Sequence, residues 1–277
     1  MEFTDEILER YSRQILLKDV GIEGQEKLSQ ARVLVLGVGG LGTPAATYLA
    51  AAGVGKLGLV DADVVDLSNL QRQILHHTPD LGKAKVESAA AKLKALNPHV
   101  EVVATQAFIQ ASNVLELLKG YDFVIDGTDN FAAKFLINDA CVLTRTAFVH
   151  GGILRFEGQL MTVLPGQTAC YRCVFPAPPP PGLVPTCSQA GILGAVAGIL
   201  GTLQATEALK FALGAGQLHT NAFLSFDARS LSFRKVAVKR NPKCPVCGEH
   251  PRITEPFDEE PPKCDIAPHP SPSRESL

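Results

Sequence analysis

Apolar and polar positions along this chain change their period repeatedly, and those changes mark out a series of elements. Thr4 to Leu17 is charged and helix-like, with Thr4 as N-cap ahead of the acidic Asp5 and Glu6. From residue 31 strands and helices alternate. RVLVLG reads as a buried strand, GLGTPAATYLAAAG as a helix closed by Gly53, and KLGLVD as the next strand. GKAKVESAAAKLKALNP has helical spacing and stops at Asn97-Pro98, and VEVVAT follows as a strand. SNVLELLKG, DFVIDG, NFAAKFLINDACVLT and AFVHGG continue the alternation. This order predicts an α/β chain: a doubly wound, mostly parallel sheet with helices on both faces, joined by right-handed crossovers.

After residue 151 the pattern changes. ILRFEGQLMTVL predicts a hairpin turning at Glu157-Gly158, and so an antiparallel extension of the sheet. The proline-rich residues 176–185 predict an extended loop, and a helix follows over about 189–213. Its apolar portion, AGILGAVAGILGTL, falls short of the roughly 20 residues a bilayer span needs. It reads as a buried helix or a subunit interface. AFLSF and SFRKVAV predict two further strands, and residues 251–277, rich in proline, acids and polar groups, predict a poorly ordered tail.

Composition narrows the functional classes. The 277 residues are 46% hydrophobic and 19% charged, with a formal net charge of -2. That balance carries no electrostatic footprint for nucleic acid or an acidic membrane surface. The N-terminus lacks the basic and apolar regions of a secretory signal, so a cytoplasmic location is the default expectation. In a reducing compartment, seven cysteines point to metal binding or catalysis before disulfides.

Gly37, Gly39 and Gly42 satisfy G-x-G-x-x-G between the first strand and its helix, where bare backbone lets a phosphate approach the helix N-terminus. Asp61 lies 19 residues beyond Gly42 at the end of the second strand, placed to accept hydrogen bonds from a ribose. A dinucleotide and a triphosphate both fit so far. The segment Ser68-Asn69-Leu70-Gln71-Arg72, followed by Lys83 and Lys85, separates them. A triphosphate brings about four negative charges that need cationic partners, and a nicotinamide does not. Asp126, Asp129 and Asn130 follow at a strand end, where an aspartate can hold Mg2+ and where either of the last two can instead cap the next helix.

Cys170-x-x-Cys173 and Cys244-x-x-Cys247 supply four thiolates in the paired spacing of a structural Zn2+ site, which would clamp the C-terminal segment to the sheet. Redox pairs are the alternative, but neither has a thioredoxin-like context. Cys187 follows the proline loop near a predicted helix start, which fits either an activated thiol or an unreactive one. Cys141 reads as core. The histidines, including His76-His77, read as surface or core residues.

Taken together, RYSRQI, GVGGLG, DADVVDLSNLQRQ, KVESAAAKLKALNP, DGTDN, GQLMTV, CYRC, TCSQAG and NPKCPVCG resemble the MoeB/ThiF/HesA family, relatives of the ubiquitin-activating enzymes, from about residue 5 to 248. The resemblance implies a Rossmann-like adenylation domain over 1–250, with a nucleotide-binding half at 31–151 and an antiparallel, zinc-bearing half at 152–248. It also implies an enzyme that uses ATP and Mg2+ to adenylate the C-terminal Gly-Gly carboxylate of a ubiquitin-like sulfur carrier, releasing pyrophosphate. By that resemblance Gly40 and Asp61 contact the nucleotide, and Ser68, Asn69, Leu70, Gln71, Arg72 and Lys85 line the phosphate path. Asp129 binds Mg2+ beside Asn130, and Arg13 acts in trans within a homodimer. Cys170, Cys173, Cys244 and Cys247 hold Zn2+, and Cys187 matches a thiol that links covalently to the carrier in some members and is dispensable in others. The chain has no room after its zinc knuckle for the rhodanese domain of some relatives, so a separate sulfur donor, such as a cysteine desulfurase or rhodanese, is expected. The molybdopterin, thiamine and tRNA-thiolation branches share these motifs. Alternatives are a relative that adenylates a small molecule or tRNA, a non-catalytic scaffold, which would be expected to lack Arg72, Lys85 or Asp129, and a nicotinamide-dependent oxidoreductase.

Overall fold

Helix α1 (Asp5–Ile15) opens the chain, with the Thr4 side chain accepting from the Ile7 amide at 3.4 Å, and it ends two residues before the expected Leu17. The computed structural model describes residues 3–180 and 190–259. Helix α2 (Gly21–Gln30), which the sequence pattern did not announce, follows; its polar composition hides the half-turn that packs on the rest of the domain. Then the expected alternation appears: β1 (Arg32–Leu36), α3 (Gly42–Ala52), β2 (Lys56–Val60), α4 (Lys85–Leu96), β3 (Glu101–Thr105), α5 (Val114–Leu118), β4 (Phe123–Asp126), α6 (Phe131–Thr144) and β5 (Ala147–Leu154). Strand β6 (Glu157–Val163), a short α7 (Tyr171–Val174), the long α8 (Gly194–Leu213), β7 (Ala222–Asp227) and β8 (Ser232–Ala237) complete it.

The eight strands form one sheet in the order β3-β2-β1-β4-β5-β6-β7-β8. The first five are parallel and the last three extend the sheet antiparallel, as expected for the doubly wound class. The β5–β6 hairpin pairs Leu154 with Glu157, so its turn is Arg155-Phe156 rather than Glu157-Gly158. Arg155 takes a positive φ of 56°, a conformation that turns the chain as early as the pairing allows. Because strand side chains alternate, β1 splits between two cores. Val33 and Val35 join α3, α4 and α8 on one face, while Leu34 and Leu36 join α5, α6 and the cysteine-bearing segments on the other. Helix α8 buries Val196, Leu200, Gln204 and Ala208, one stripe of its surface, in the core of the chain. No helix among the described residues is long and apolar enough to cross a membrane.

Strand order reverses between β1 and β4, which opens a crevice at their C-terminal ends. Two loops meet there. Gly37, at φ 89°, lies so near the loop after β4 that a Cβ on it would sit 2.9 Å from the Gly127 carbonyl. A Cβ on Gly42 would overlap the Gly37 carbonyl oxygen. The glycine spacing is thus required by backbone packing as well as by any ligand.

Helix α8 offers a test of this packing at two glycines three residues apart. A methyl on Gly201 would collide with the Leu41 carbonyl and sit 2.5 Å from Pro44 Cγ, whereas one on Gly198 meets open space. Gly201→Ala is expected to cost about 2 kcal/mol through overpacking, and Gly198→Ala to add about 0.5 kcal/mol by restricting the unfolded chain. Urea midpoints of the two variants should move in opposite directions.

Candidate active site

The loop joining β1 to α3 is held from both sides. The Val38 amide donates to Asp61 Oδ2 at 2.7 Å, and Asp61 Oδ1 accepts from the Asp63 amide at 2.9 Å. Burial raises the Asp61 pKa above the usual carboxylate range, with the Lys85 cation and these amides pulling the other way. The carboxylate expected to reach a ribose therefore also anchors the glycine turn. On the far side of Val38, His76 Nε2 lies 3.0 Å from the Val38 carbonyl oxygen and its Nδ1 lies 3.0 Å from Ser88 Oγ. Sequence reading placed His76 only as surface or core; it is core, and no local pattern marks its contact with Val38, 38 residues away.

The 68–72 segment wraps this turn. Asp66 and Asn69 close a capping box over the short helical turn Leu67–Asn69, with Asp66 Oδ1 accepting from the Ser68 amide at 2.8 Å. Ser68 and Gln71 are exposed, and Asn69 and Leu70 are half-buried. The Arg72 stem lies against Gly40, about 3.5 Å from where a Cβ would stand, and its Nη1 donates to the Ser68 carbonyl at 2.9 Å. The start of α8 presses on the same segment, since a Cβ on Gly194 would sit 3.2 Å from Arg72 Cα. Gln73 is buried with its Nε2 beside Gly39 and its Oε1 without a partner among the described residues. Lys85, at the first turn of α4, is buried and donates to the exposed Asp63 at 2.7 Å. Gly40, Asp61, Arg72 and Lys85 are therefore brought together around one turn.

Beyond β4, Asn130 caps α6 by accepting from the Ala133 amide at 2.8 Å, and Asp129 beside it is exposed. Asp126 is turned inward. It accepts from the Thr128 amide and hydroxyl at 3.1 and 2.7 Å, from His150 Nδ1 at 2.9 Å and from Lys134 Nζ at 3.3 Å. Burial works against this charge, but Lys134 and the hydrogen bonds outweigh it and hold the carboxyl at about 2. Burial and Lys134 together push His150 below 6.5 against the pull of Asp126, so the ring is neutral. Asp126 is thus a buried brace for the 127–130 loop and not a free metal ligand; Lys134, which sequence reading passed over, is its counter-ion.

The four paired cysteines converge across 74 residues of sequence. Sγ separations are 3.9 Å for Cys170 and Cys173, 3.6 Å for Cys170 and Cys244, and 3.4 Å for Cys173 and Cys247, with all four within 4.8 Å. A tetrahedral site with Zn–S bonds of about 2.3 Å has edges near 3.8 Å, so this donor set fits Zn2+. The knuckle is locked to α6: Tyr171 donates its amide to Asn138 Oδ1 at 2.8 Å, and the Arg172 guanidinium binds the buried Asp139 carboxylate at 2.7 Å. Arg172 also meets Glu259 at 2.7 Å, and the Ala111 amide donates to Asp258 at 2.9 Å, so residues 257–259 of the expected tail are pinned to the domain. The Tyr171 ring lies 4.4 Å from that of His150, which connects the knuckle to the Asp126 brace. Arg13 lies elsewhere, exposed in the last turn of α1. Cys187 and Cys264 lie outside the described residues.

Comparison with known proteins agrees with this geometry. The ThiF family model matches residues 11–246. The chain is 48% identical over 265 residues to a sulfur carrier protein adenylyltransferase of Thermus thermophilus, covering 94% of this chain and 98% of that one. It is 49% identical over 242 residues to a SAMP-activating enzyme E1 of Haloferax volcanii, covering 87% and 89%. A solved structure of MccB from E. coli with ATP superposes with a TM-score of 0.74 at 25% identity, covering 86% of this chain and 74% of that one.

Two outcomes follow from these contacts. His76 and His150 are both depressed below 6.5, mainly by burial, so the unfolded chain takes up protons first as pH falls and stability drops below that value. Urea unfolding between pH 7 and 5 should show the loss, at a slope of at most about 1.4 kcal/mol per pH unit for each ring, and His150→Asn should flatten it. Metal analysis of the purified protein should find one zinc per chain, and Cys244→Ser should lose it together with several kcal/mol of stability.

Proposed function

This chain belongs to the ThiF family, and we propose that it is an ATP-dependent adenylyltransferase that activates the C-terminal Gly-Gly carboxylate of a ubiquitin-like sulfur-carrier protein. One carboxylate oxygen attacks the α-phosphorus of ATP. A new O–P bond forms as the bond from the α-phosphorus to the bridging oxygen breaks, and the bonding pair leaves with pyrophosphate. Two anions must meet in this step, so fixed positive charge and alignment are the main contributions a protein can make. Arg72 and Lys85 supply the charge, and the glycine turn supplies backbone amides at the start of an eleven-residue helix. Asp61 takes the ribose, and Ser68 and Asn69 line the phosphate path. Asp129 would hold Mg2+, which neutralises phosphate charge when bound.

Arg13 fits a role in a homodimer. Helix α1 is anchored at the far ends of α3 and α4, where Gln14 donates to the Ala52 carbonyl at 2.9 Å and Asn97 donates to Tyr11 Oη at 2.8 Å. Helix α3 spans about 16 Å from there to the glycine turn, longer than an arginine side chain. Arg13 is therefore out of reach of the turn in its own chain, which is consistent with the family role proposed here, action on the phosphates of a second copy. The zinc knuckle has all four positions filled by thiolates and serves to hold the C-terminal segment. The acyl-adenylate then serves sulfur transfer, in a molybdopterin, thiamine or tRNA-thiolation route.

The observation that carries this reading is the convergence of Arg72 and Lys85 on one glycine turn, in a chain alike from end to end to a named sulfur carrier protein adenylyltransferase. ATP–pyrophosphate exchange with purified Gly-Gly-ending carriers tests it. Exchange should require a carrier and fall by about 10²-fold in Arg72→Ala and in Lys85→Ala. Carrier-independent ATP consumption, or full exchange in both variants, would overturn it.

A further inference from the structure

The Val38-Gly39 peptide is held by a chain of side chains that the proposed adenylation chemistry does not use. Lys92 donates to Ser88 Oγ at 2.8 Å and also pairs with Asp80. Ser88 Oγ faces His76 Nδ1, and His76 Nε2 faces the Val38 carbonyl oxygen, each at 3.0 Å. The direction of every proton in this chain is determined. A carbonyl only accepts, so His76 carries its hydrogen on Nε2. The ring is 3% exposed and neutral, so Nδ1 accepts, and it accepts from Ser88. Lysine only donates, which leaves the Ser88 hydroxyl proton free to point at the ring.

The consequence falls on the next amide. In a trans peptide the C=O and the following N–H point in opposite directions, and the described residues contain no cis peptide. His76 draws the Val38 carbonyl toward α4, so the Gly39 N–H is turned away from α4. The Gly39 and Gly40 amides have no acceptor among the described residues. The neighbouring Val38 amide is already committed to Asp61, so the peptides on both sides of Val38 are fixed, one by a carboxylate and one by an imidazole.

We propose that His76, oriented by Ser88 and Lys92, is a positioning residue that aims the Gly39 amide at the phosphates of the bound nucleotide. The inference rests on the ATP reading above. It assigns the Lys92–Ser88–His76 chain the task of keeping the turn in its ligand-ready form before ATP arrives, so that binding does not have to reorder it.

Calorimetric titration with Mg-ATP, without any carrier, tests the proposal on the whole protein. His76→Gln keeps an amide donor where Nε2 stands, and His76→Leu removes it at similar volume. His76→Leu should bind Mg-ATP about tenfold or more weakly and His76→Gln within about threefold of the native protein. In pyrophosphate exchange the change should appear in KM for ATP and leave kcat nearly unchanged. Ser88→Ala, which removes only the hydroxyl, should also weaken binding, and it decides the matter if His76→Leu does not fold. Native affinity in His76→Leu, or equal loss in the Leu and Gln variants, overturns the proposal; so does native affinity in Ser88→Ala where His76→Leu does not fold. If the native protein itself does not bind Mg-ATP, it is the nucleotide reading that fails.

Discussion

Two loops share one space at the switch point of the sheet, and that close approach sets the geometry of everything around it. The turn after β1 and the turn after β4 touch backbone to backbone at Gly37 and Gly127, with no side chain between them. Because the loops are in contact, whatever fixes one constrains the other. Asp61 and His76 hold the first loop through Val38, while Asp126 holds the second through Thr128. The crevice is thus bounded by backbone pinned by two carboxylates and an imidazole, a preorganised surface for a ligand.

Charge around the crevice is distributed in two classes. Lys134, Asp126, Arg172 and Asp139 are buried and paired with one another, so their removal leaves an uncompensated charge in the interior. Lys85 and Arg72 have weaker partners. Lys85 meets an aspartate that is 62% exposed, and Arg72 meets a backbone carbonyl. A phosphate entering the crevice can replace either partner, and it accepts charge-assisted hydrogen bonds from both cations. The cations proposed for catalysis are thus the ones whose partners are an exposed carboxylate and a carbonyl, and the braces are buried pairs.

The cysteine knuckle belongs to the same framework. Tyr171, between Cys170 and Cys173, hydrogen-bonds to α6 and stacks near His150, whose other contact is Asp126. Zn2+ held by these four thiolates would join segments 74 residues apart, and because the site forms only on folding, its binding energy would add to the stability of the folded chain. The cysteine cluster is connected to the crevice through two rings and one carboxylate.

How much of this was legible beforehand depends on the range of the interactions involved. Strand and helix order, the Gly53 cap, the Thr4 and Asn130 N-caps and the paired cysteines are local or periodic features, and near neighbours in the chain determine them. So the doubly wound class, the glycine turn held by Asp61, the nearness of Arg72 and Lys85 to that turn and the pairing of the four cysteines were all readable from the residues alone. Which aspartate turns inward was not. Asp126 and Asp129 are three residues apart with the same chemistry, and only the register of β4 against β5, which brings His150, and the packing of α6, which brings Lys134, select the first and leave the second exposed. Helix α2, the hairpin turn at Arg155-Phe156 and the hold of His76 on Val38 across 38 residues also came only with the tertiary structure. For Asp126 and for His76 the deciding partner is distant in sequence, and a periodic pattern carries no information about which distant group burial will bring within hydrogen-bonding range.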